Sequence, residues 1–540
     1  MSTAERFQPR WSRRDVLKLG AGLTGGGLVL GAGRPSSAQA AKVLRVAVSE
    51  TRDPLDPAVY YGTSDMIIPF NTQETLVRYK MGTYEIEPLL AESWDVKDGG
   101  KAVAFKIRDG VKYIDGTKLN AESVKFEIER AIKINQGPGW MLTDFIDQVV
   151  VDGEQRLTLN LKRKVPGYLH YLAGAWAIRF QSPAAYKANE KDGDLGKAWA
   201  VTNTAGTAPY RIESYEKESR VVLVKNDGYW GGWKGNHIER VIINVIKEPA
   251  TLRLQLEAGD LDVVFVPLKP ADYAALGKNP NVVLGQYPSG THYLMTLKCN
   301  QPPTDNKLVR QALSYAFNYD QVIGKIYGGN GQRIGPLSLG LEGDSPSLHT
   351  HYRFNLEKAK ELLAQAGYPK GGLKLKGISR PVDPNLRLVF ELFQSDLKKL
   401  NVDLEVVELA GAPWREQWRD PKADWNMLAH YWTPDSIEAG GAVFPLYKCE
   451  GYLEPGASNW TRLCNKKADE LFQKTIEEAD AKRRIANMQQ VAQILLDEAP
   501  VVWMFWIKDV WPYRKSVKNF RYNGYYTTWA TRIYDLSKEA

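Results

Sequence analysis

Residues 386–409, LRLVFELFQSDLKKLNVDLEVVEL, decide the fold class, because a helical pattern passes there into a strand pattern. The spacing of the apolar residues predicts a helix over 386–400 and a strand over 403–409. Further helices are predicted over 356–366 and, as a long one, over 481–498. Strands that alternate with helices are typical of an α/β protein with mixed sheets flanked by helices.

The same alternation begins earlier in the chain. Residues 42–48 predict a strand, and residues 121–134 predict a helix with Asn120 as its N-cap. The pair Pro302-Pro303 is interpreted as a linker to a second unit. The apolar run 501–507 predicts a buried strand that returns to the first unit.

The composition is that of a large globular protein, with 540 residues of which 44% are hydrophobic and 25% charged. This excludes a disordered or collagen-like chain. The net charge is +8, but residues 1–40 hold six basic and two acidic residues, so only +4 is dispersed over the rest. Because so weak and scattered a charge does not track phosphates, nucleic acid is not an expected partner. The 16 Trp, 27 Tyr and 15 Phe include candidate stacking walls for a ligand, although core packing explains them too.

The first forty residues have the features of an export signal. Ser12-Arg13-Arg14-Asp15-Val16-Leu17-Lys18 precedes a glycine-rich apolar stretch and the small-residue triplet Ala38-Gln39-Ala40. This order resembles a twin-arginine signal, which implies folding in the cytoplasm, cleavage after about Ala40 and a periplasmic location. The apolar stretch is too short for the ~20 residues of a membrane span. We expect a soluble mature chain without membrane insertion; a disordered basic tail is the alternative.

Three cysteines are present, Cys299, Cys449 and Cys464. An oxidising compartment permits a disulfide, and Cys449 and Cys464 flank a loop rich in turn-forming residues. We expect these two to pair, which would stabilise the fold by about 3 kcal/mol in the chain-entropy model. Two unpaired thiols remain the alternative, and Cys299 is interpreted as a buried packing residue.

Motifs of common catalytic and metal sites are missing from the sequence. It has no G-x-S-x-G elbow, no G-x-x-x-x-G-K-[ST] phosphate loop, no dinucleotide fingerprint, no C-x-x-C pair and no H-E-x-x-H helix. His349 and His351 lie in a loop with Pro and Ser, and we interpret them as solvated side chains. We therefore expect a protein that is not an enzyme and has neither a metal nor a cofactor.

Six separated stretches give the chain a family resemblance. They lie in one order along the mature chain: Leu90 to Trp94; Phe105 to Gly116; Gly206 to Tyr210 with Asn226 to Trp230; Glu257 to Asp262; Pro302-Pro303 with Val309 to Leu313; and Ala359 to Tyr368. Together they resemble the large solute-binding proteins of ABC importers, the peptide/nickel family 5 that includes periplasmic dipeptide- and oligopeptide-binding proteins. Ala208 departs from the glycine that is usual there.

The resemblance implies an α/β periplasmic binding protein fold of the large type, with two lobes, a hinged cleft and an inserted accessory domain. The implied organisation is an export signal over 1–40, lobe 1 over 41–83, the accessory domain over 84–201, lobe 1 again over 202–299, lobe 2 over 300–499 and a return to lobe 1 over 500–540. Closure about a hinge lets a transporter distinguish loaded from empty carrier.

Two segments resemble the ligand-binding segments of the dipeptide-binding subgroup. Arg380 matches an arginine that pairs with the ligand's terminal carboxylate, as suits a guanidinium fork. Asp435 matches an aspartate that holds the N-terminal ammonium, although Pro434 and Glu438 replace the usual glycine and aspartate. Trp432 adjoins Asp435 and is the predicted wall of the pocket. For both charged residues, an ordinary loop position is the alternative.

We therefore expect a monomeric periplasmic carrier that binds a small peptide or peptide-like zwitterion and delivers it to the permease of an ABC transporter. One alternative keeps the carrier role but makes the ligand an oligosaccharide or a metal chelate, held by aromatic stacking. An alternative of another class is a periplasmic hydrolase or chaperone.

Overall fold

The computed structural model describes most of the mature chain. The described residues are 42–51, 54–287, 289–337, 343–380, 383, 385–409, 411–420, 422–434, 443–449, 459–526 and 531–539. The predicted signal over residues 1–40 lies outside them. Within these ranges, no helix is both long enough and apolar enough to span a membrane.

The strands are numbered β1 to β21 in chain order. They are β1 (Val43–Val48), β2 (Val77–Tyr79), β3 (Ile86–Pro88), β4 (Ala91–Lys97), β5 (Ala102–Ile107), β6 (Ile146–Gly153), β7 (Arg156–Leu161), β8 (Tyr210–Glu216), β9 (Arg220–Lys225), β10 (Arg240–Val245), β11 (Val263–Phe265), β12 (Val282–Tyr287), β13 (His292–Leu297), β14 (Gly331–Gln332), β15 (Leu373–Ser379), β16 (Val402–Glu408), β17 (Met427–Trp432), β18 (Val501–Ile507), β19 (Asp509–Arg514), β20 (Val517–Lys518) and β21 (Ser537–Lys538).

The α-helices cover the sheet faces and connect the strands. They are Ile67–Thr72, Ala121–Ile134, Trp140–Thr143, Tyr168–Ala173, Pro183–Asn189, Pro249–Ala258, Pro270–Leu276, Lys307–Ala316, Tyr319–Gln321, Pro346–His349, Leu356–Gln365, Asn385–Lys398, Gly411–Arg419, Phe444–Tyr447, Lys466–Glu477 and Ala481–Glu498.

Local sequence accounts for where the predicted helices begin. The helix Ala121–Ile134 starts where the Asn120 side chain accepts a hydrogen bond from the Ser123 backbone, while the Ser123 hydroxyl accepts one from the Asn120 backbone. The helix Ala481–Glu498 starts with a single capping bond, in which the Asp480 side chain accepts from the Arg483 backbone. Both predicted helices are confirmed.

Two large sheets and one smaller sheet organise the molecule. The first has seven strands in the order β12-β19-β11-β1-β10-β9-β8, and the second has six in the order β14-β18-β13-β17-β15-β16. An antiparallel four-stranded sheet, β4-β5-β7-β6, packs with the helix Ala121–Ile134 and comes from the chain between β1 and β8. This is the α/β, two-lobed architecture that the sequence predicts.

The run Val501–Ile507 is a buried strand, as predicted, but its assignment to the first unit is wrong. As β18 it pairs with β13 and β14 in the six-stranded sheet, and the next strand, β19, returns to the seven-stranded sheet. The apolar side chains on both faces of β18 explain why this strand is buried. Which sheet it joins is decided by its contacts with β13, ~200 residues earlier in the chain. The remaining limits of the predicted domains stay predictions.

Candidate functional site

The cleft lies between the two large sheets. It is found at the strand ends where the chain passes from one sheet to the other. In the six-stranded sheet, β15, β16, β17 and β18 run in one direction and β13 runs in the other. The chain crosses between the sheets from the end of β12 to the start of β13, and from the end of β18 to the start of β19. Both crossings therefore join the carboxyl-end edges of the two sheets, where ligands of open α/β sheets bind.

Arg380 follows the last residue of β15 at this edge. It is partly buried, and its Cζ lies 4.9 Å from the centroid of the Trp414 ring. Among the described residues, no carboxylate forms an ion pair with it. A guanidinium stacked on an indole keeps its five N–H donors available in the ring plane. The structure thus places Arg380 at the carboxyl end of β15 beside Trp414, and its role as a carboxylate anchor stays a prediction.

The Trp414 ring belongs to an aromatic platform made of Trp414, Trp460 and His430. Trp414 and Trp460 pack edge to face with centroids 5.7 Å apart, and the His430 ring lies 4.4 Å from that of Trp460. The His430 Nε2 and the hydroxyl of Thr296 are 2.8 Å apart. Burial, with a smaller effect of the Arg380 charge, lowers the pKa of His430 to about 3, so its ring is neutral. The platform beside Arg380 is therefore uncharged, and the contact between His430 and Thr296 holds it in place.

Asp383, three residues after Arg380, is held by two hydrogen bonds. Its Oδ2 accepts a hydrogen bond of 2.8 Å from the Tyr327 hydroxyl, and its Oδ1 accepts one of 2.8 Å from the Asn385 backbone. Asp383 is buried, 6% exposed, beside the aromatic cluster that contains Tyr293 and Phe505. These bonds connect Asp383 to Tyr327 and to the start of the helix Asn385–Lys398.

Trp432 ends β17 at the same edge and lies opposite His292 of β13. It is buried and belongs to the main core of the six-stranded sheet. The structure therefore brings Trp432 to the same sheet edge as Arg380, largely as a packed side chain. The predicted ammonium ligand, Asp435, lies outside the described residues, which end just before it at Pro434.

Cys449 and Cys464 form a disulfide, as predicted. It closes the chain between the helix Phe444–Tyr447 and the helix Lys466–Glu477. Cys299 is partly buried against the core of the six-stranded sheet, and its Sγ lies 3.4 Å from the Leu297 carbonyl. It is the packing residue that the sequence predicts.

The prediction of two solvated histidines is wrong for His349. This residue is 6% exposed, and its Nε2 lies 2.6 Å from Asp344 Oδ1. The short helix Pro346–His349 turns the ring inward, which loop composition does not reveal. His351 is exposed. In the described part of the chain, no three His, Cys, Asp or Glu side chains are grouped in a way that would hold a metal ion.

A second group of cations, three arginines around a cavity, was not predicted from the sequence. Arg78, Arg179 and Arg532 line a cavity of about 40 Å³, together with Glu74 and Tyr526. Arg179 is 4% exposed and donates to two backbone carbonyls, and burial lowers its pKa to about 10. The available signal was a single arginine within the apolar run 172–180. Its neighbours in the cavity come from four distant parts of the chain.

Comparison with known proteins agrees with this architecture. Residues 85–454 match the model of the family described as bacterial extracellular solute-binding proteins, family 5 Middle. A probable D,D-dipeptide-binding periplasmic protein, DdpA, of Escherichia coli (strain K12) is 30% identical over 509 residues, which cover 92% of this chain and 95% of that protein.

Two solved structures have the same fold. The ABC transporter-associated periplasmic binding protein DppA from Helicobacter pylori, in complex with the peptide STSA, is 23% identical and superposes with a TM-score of 0.81, covering 92% of this chain and 98% of its own. NikZ from Campylobacter jejuni, in complex with Ni(L-His), is 19% identical with a TM-score of 0.80, covering 92% of this chain and 100% of its own. Combined with the family match, these findings show that the chain belongs to the bacterial extracellular solute-binding proteins of family 5, a family of binding proteins rather than enzymes.

Proposed function

We propose that this chain captures a small peptide or peptide-like zwitterion in the cleft between its two large sheets and delivers it to the permease of an ABC transporter. The related protein of Escherichia coli is named for D,D-dipeptides and for the periplasm, and the Helicobacter pylori structure holds a tetrapeptide. We also propose export through the signal over residues 1–40 and action as a monomer in the periplasm.

The observation that carries the ligand proposal is the environment of Arg380. Its guanidinium lies at the cleft edge on an uncharged aromatic platform, and no described carboxylate neutralises it. Arginine forms two parallel hydrogen bonds to a carboxylate, and such charge-assisted bonds are about twice as strong as neutral ones. A ligand carboxylate that enters the cleft would therefore supply the counter-ion that none of the described residues supplies.

The ligand's other end is assigned by the sequence alone. We propose that Asp435 receives an ammonium group and that Trp432, which ends β17 at this edge, forms a wall of the pocket. If both ends are held by buried charges, a ligand that lacks one end leaves a charge unpaired, which is costly in an enclosed site. Selectivity for zwitterions with two free termini then follows.

Native mass spectrometry of gently purified protein tests this proposal first, because it identifies whatever solute is retained. Calorimetry then compares a dipeptide that has a free carboxylate with the same dipeptide as its C-terminal amide. We expect the free form to bind at least about tenfold more tightly. Equal binding of the two forms, or preference for a neutral oligosaccharide, would contradict the proposal. If a nickel–histidine complex binds and peptides do not, the ligand of this site is a metal chelate instead of a peptide.

A further inference from the structure

The two crossings between the large sheets lie side by side and form the hinge. In the seven-stranded sheet, Tyr287 at the end of β12 pairs with Asp509 at the start of β19. In the six-stranded sheet, His292 at the start of β13 pairs with Trp506 near the end of β18. Any rotation of one sheet relative to the other therefore bends the chain at residues 289–291 and at Lys508.

Asp509 connects these two crossings. Its Oδ2 accepts a hydrogen bond of 2.7 Å from the Tyr522 hydroxyl, which belongs to the first lobe. Its carboxylate also accepts a hydrogen bond from the side chain of Ser289, on the other crossing. The Trp506 indole in turn donates to the Ser289 carbonyl. Asp509 thus lies on the crossing from β18 to β19 and contacts the crossing from β12 to β13. It is next to the residues at which the two crossings bend.

The surroundings of Asp509 are apolar and aromatic, and its side chain is buried, with 8% of the residue exposed. The titratable groups that face it are the phenols of Tyr522, Tyr273 and Tyr293, all neutral because burial raises their pKa values. The next residue back, Lys508, is exposed. Among the described residues, no cation forms an ion pair with Asp509. Within the described ranges, the donors to this carboxylate are therefore the hydroxyl groups of Tyr522 and Ser289.

We propose that Asp509 is a proton-sensitive pin of the hinge, which favours the closed arrangement of the lobes when its carboxyl group is protonated. The proposal deepens the proposed function and rests on it where ligand affinity is the readout. Opening of the hinge separates Ser289 from Asp509 and admits water to the carboxyl group. The two arrangements then differ in their affinity for one proton, and proton binding is coupled to closure.

The direction of the pH dependence follows from the burial of Asp509. Burial raises its pKa from the ordinary 3.8 to about 7 in this arrangement, and the hydrogen bonds from Tyr522 and Ser289 offset part of that rise. A group with a raised pKa favours the buried state at low pH, and this advantage is lost as the pH rises through about 7. Closure, and with it ligand affinity, therefore weakens between about pH 5 and pH 7 and is constant above.

The proposal is tested by calorimetric titration of a dipeptide at about pH 5.5, 6.5 and 7.5. These pH values lie below the pKa of the peptide's own amine. In the native protein we expect the dissociation constant to rise about tenfold over this range. Asp509→Asn keeps the shape of the protonated side chain, so its affinity should stay near the native low-pH value throughout. A variant whose affinity falls as steeply as that of the native protein would overturn the proposal.

The control is Glu127→Gln, which removes another buried carboxyl of raised pKa that lies in the inserted unit, away from the hinge. It should retain the native slope of affinity against pH. A second variant, Tyr522→Phe, removes a donor to the charged carboxylate and should move the break in the profile to higher pH. If Asp509→Asn does not fold, Tyr522→Phe decides the question. A break in its profile of affinity against pH at the same pH as in the native protein would overturn the proposal.

Small-angle X-ray scattering separates this proposal from the proposed function. The radius of gyration of the native protein should increase from about pH 5.5 to pH 7.5, and that of Asp509→Asn should not. Should no peptide bind while this difference persists, the ligand assignment fails and the hinge proposal stands. Should peptides bind with identical pH profiles in both proteins and the radii agree, the hinge proposal fails and the ligand assignment stands.

Discussion

Arg130 and Arg380 are two stacked arginines in opposite electrostatic situations. Arg130, on the helix Ala121–Ile134, lies 3.7 Å above the Tyr186 ring, and its Nη atoms contact Asp56 at 2.6 and 2.9 Å and Glu127 at 3.1 Å. Arg380 lies 4.9 Å above its indole and forms no ion pair with a described residue. The first arginine is paired within the fold, whereas we propose that the second pairs with the carboxylate of a ligand.

Replacing the first arginine should have the largest effect. Arg130→Met leaves the buried carboxyl groups of Asp56 and Glu127 without their cation and should lower the free energy of unfolding by about 3–5 kcal/mol. Urea unfolding followed by tryptophan fluorescence measures this loss. Arg380→Gln in the same assay should lose less than about 1 kcal/mol. Equal losses in the two variants would remove the distinction between the arginines.

The opposite ranking is expected for ligand affinity. Arg380→Gln should weaken binding of a free-carboxylate dipeptide by about 10- to 100-fold, because the ligand's carboxylate loses its charged partner. The matched control is Arg387→Gln, on the next helix, where an exposed arginine pairs with Glu391. Calorimetry should show native affinity for this control. Native affinity in Arg380→Gln itself would contradict the assignment.

The paired region should also show a pH dependence of its own. Burial raises the pKa of Glu127 to about 8, partly offset by Arg130, so the folded protein retains a proton that the unfolded chain has lost above the ordinary value of 4.5. Stability should therefore fall as the pH rises from about 5 to 8, by up to about 1.4 kcal/mol per pH unit from this group.

Glu127→Gln should flatten this slope in urea unfolding at about pH 5.5 and 7.5. Asp509 contributes a slope of the same sign, so a residual dependence remains in the variant. A slope as steep as that of the native protein would show that Glu127 stays ionised beside Arg130.

The smallest effect concerns the platform under Arg380. Trp414→Phe provides a weaker π face and should weaken dipeptide binding about threefold. Trp425→Phe is the matched control, because Trp425 is fully buried in the same cluster and lies near Lys298 rather than Arg380. The control should lose stability without losing affinity. Equal affinities in the two variants would mean that the stack does not position the guanidinium.

Local patterns predicted the elements of this protein well. The helix Ala121–Ile134 and its cap are decided by residues within one turn of each other, as is the helix Ala481–Glu498. Partnership between strands is decided elsewhere. The apolar run Val501–Ile507 fits either sheet by its own composition, and only the position of β13 and β14 determines which sheet it joins.

The site could be predicted only in part for the same reason. Family resemblance pointed to Arg380, and the structure adds the neutral platform beneath it, which is assembled from four separate elements. The burial of His349, its contact with Asp344 and the cavity around Arg179 depend on the folded arrangement, which no local pattern encodes.

The carboxylate-binding role of Arg380 is best tested by a crystal structure of the protein with its retained solute. We expect an anionic group of the solute about 3 Å from the guanidinium nitrogens of Arg380, with the ring of Trp414 still stacked beneath them. A solute bound in the cleft with Arg380 facing solvent, or paired with a carboxylate of the protein, would contradict it.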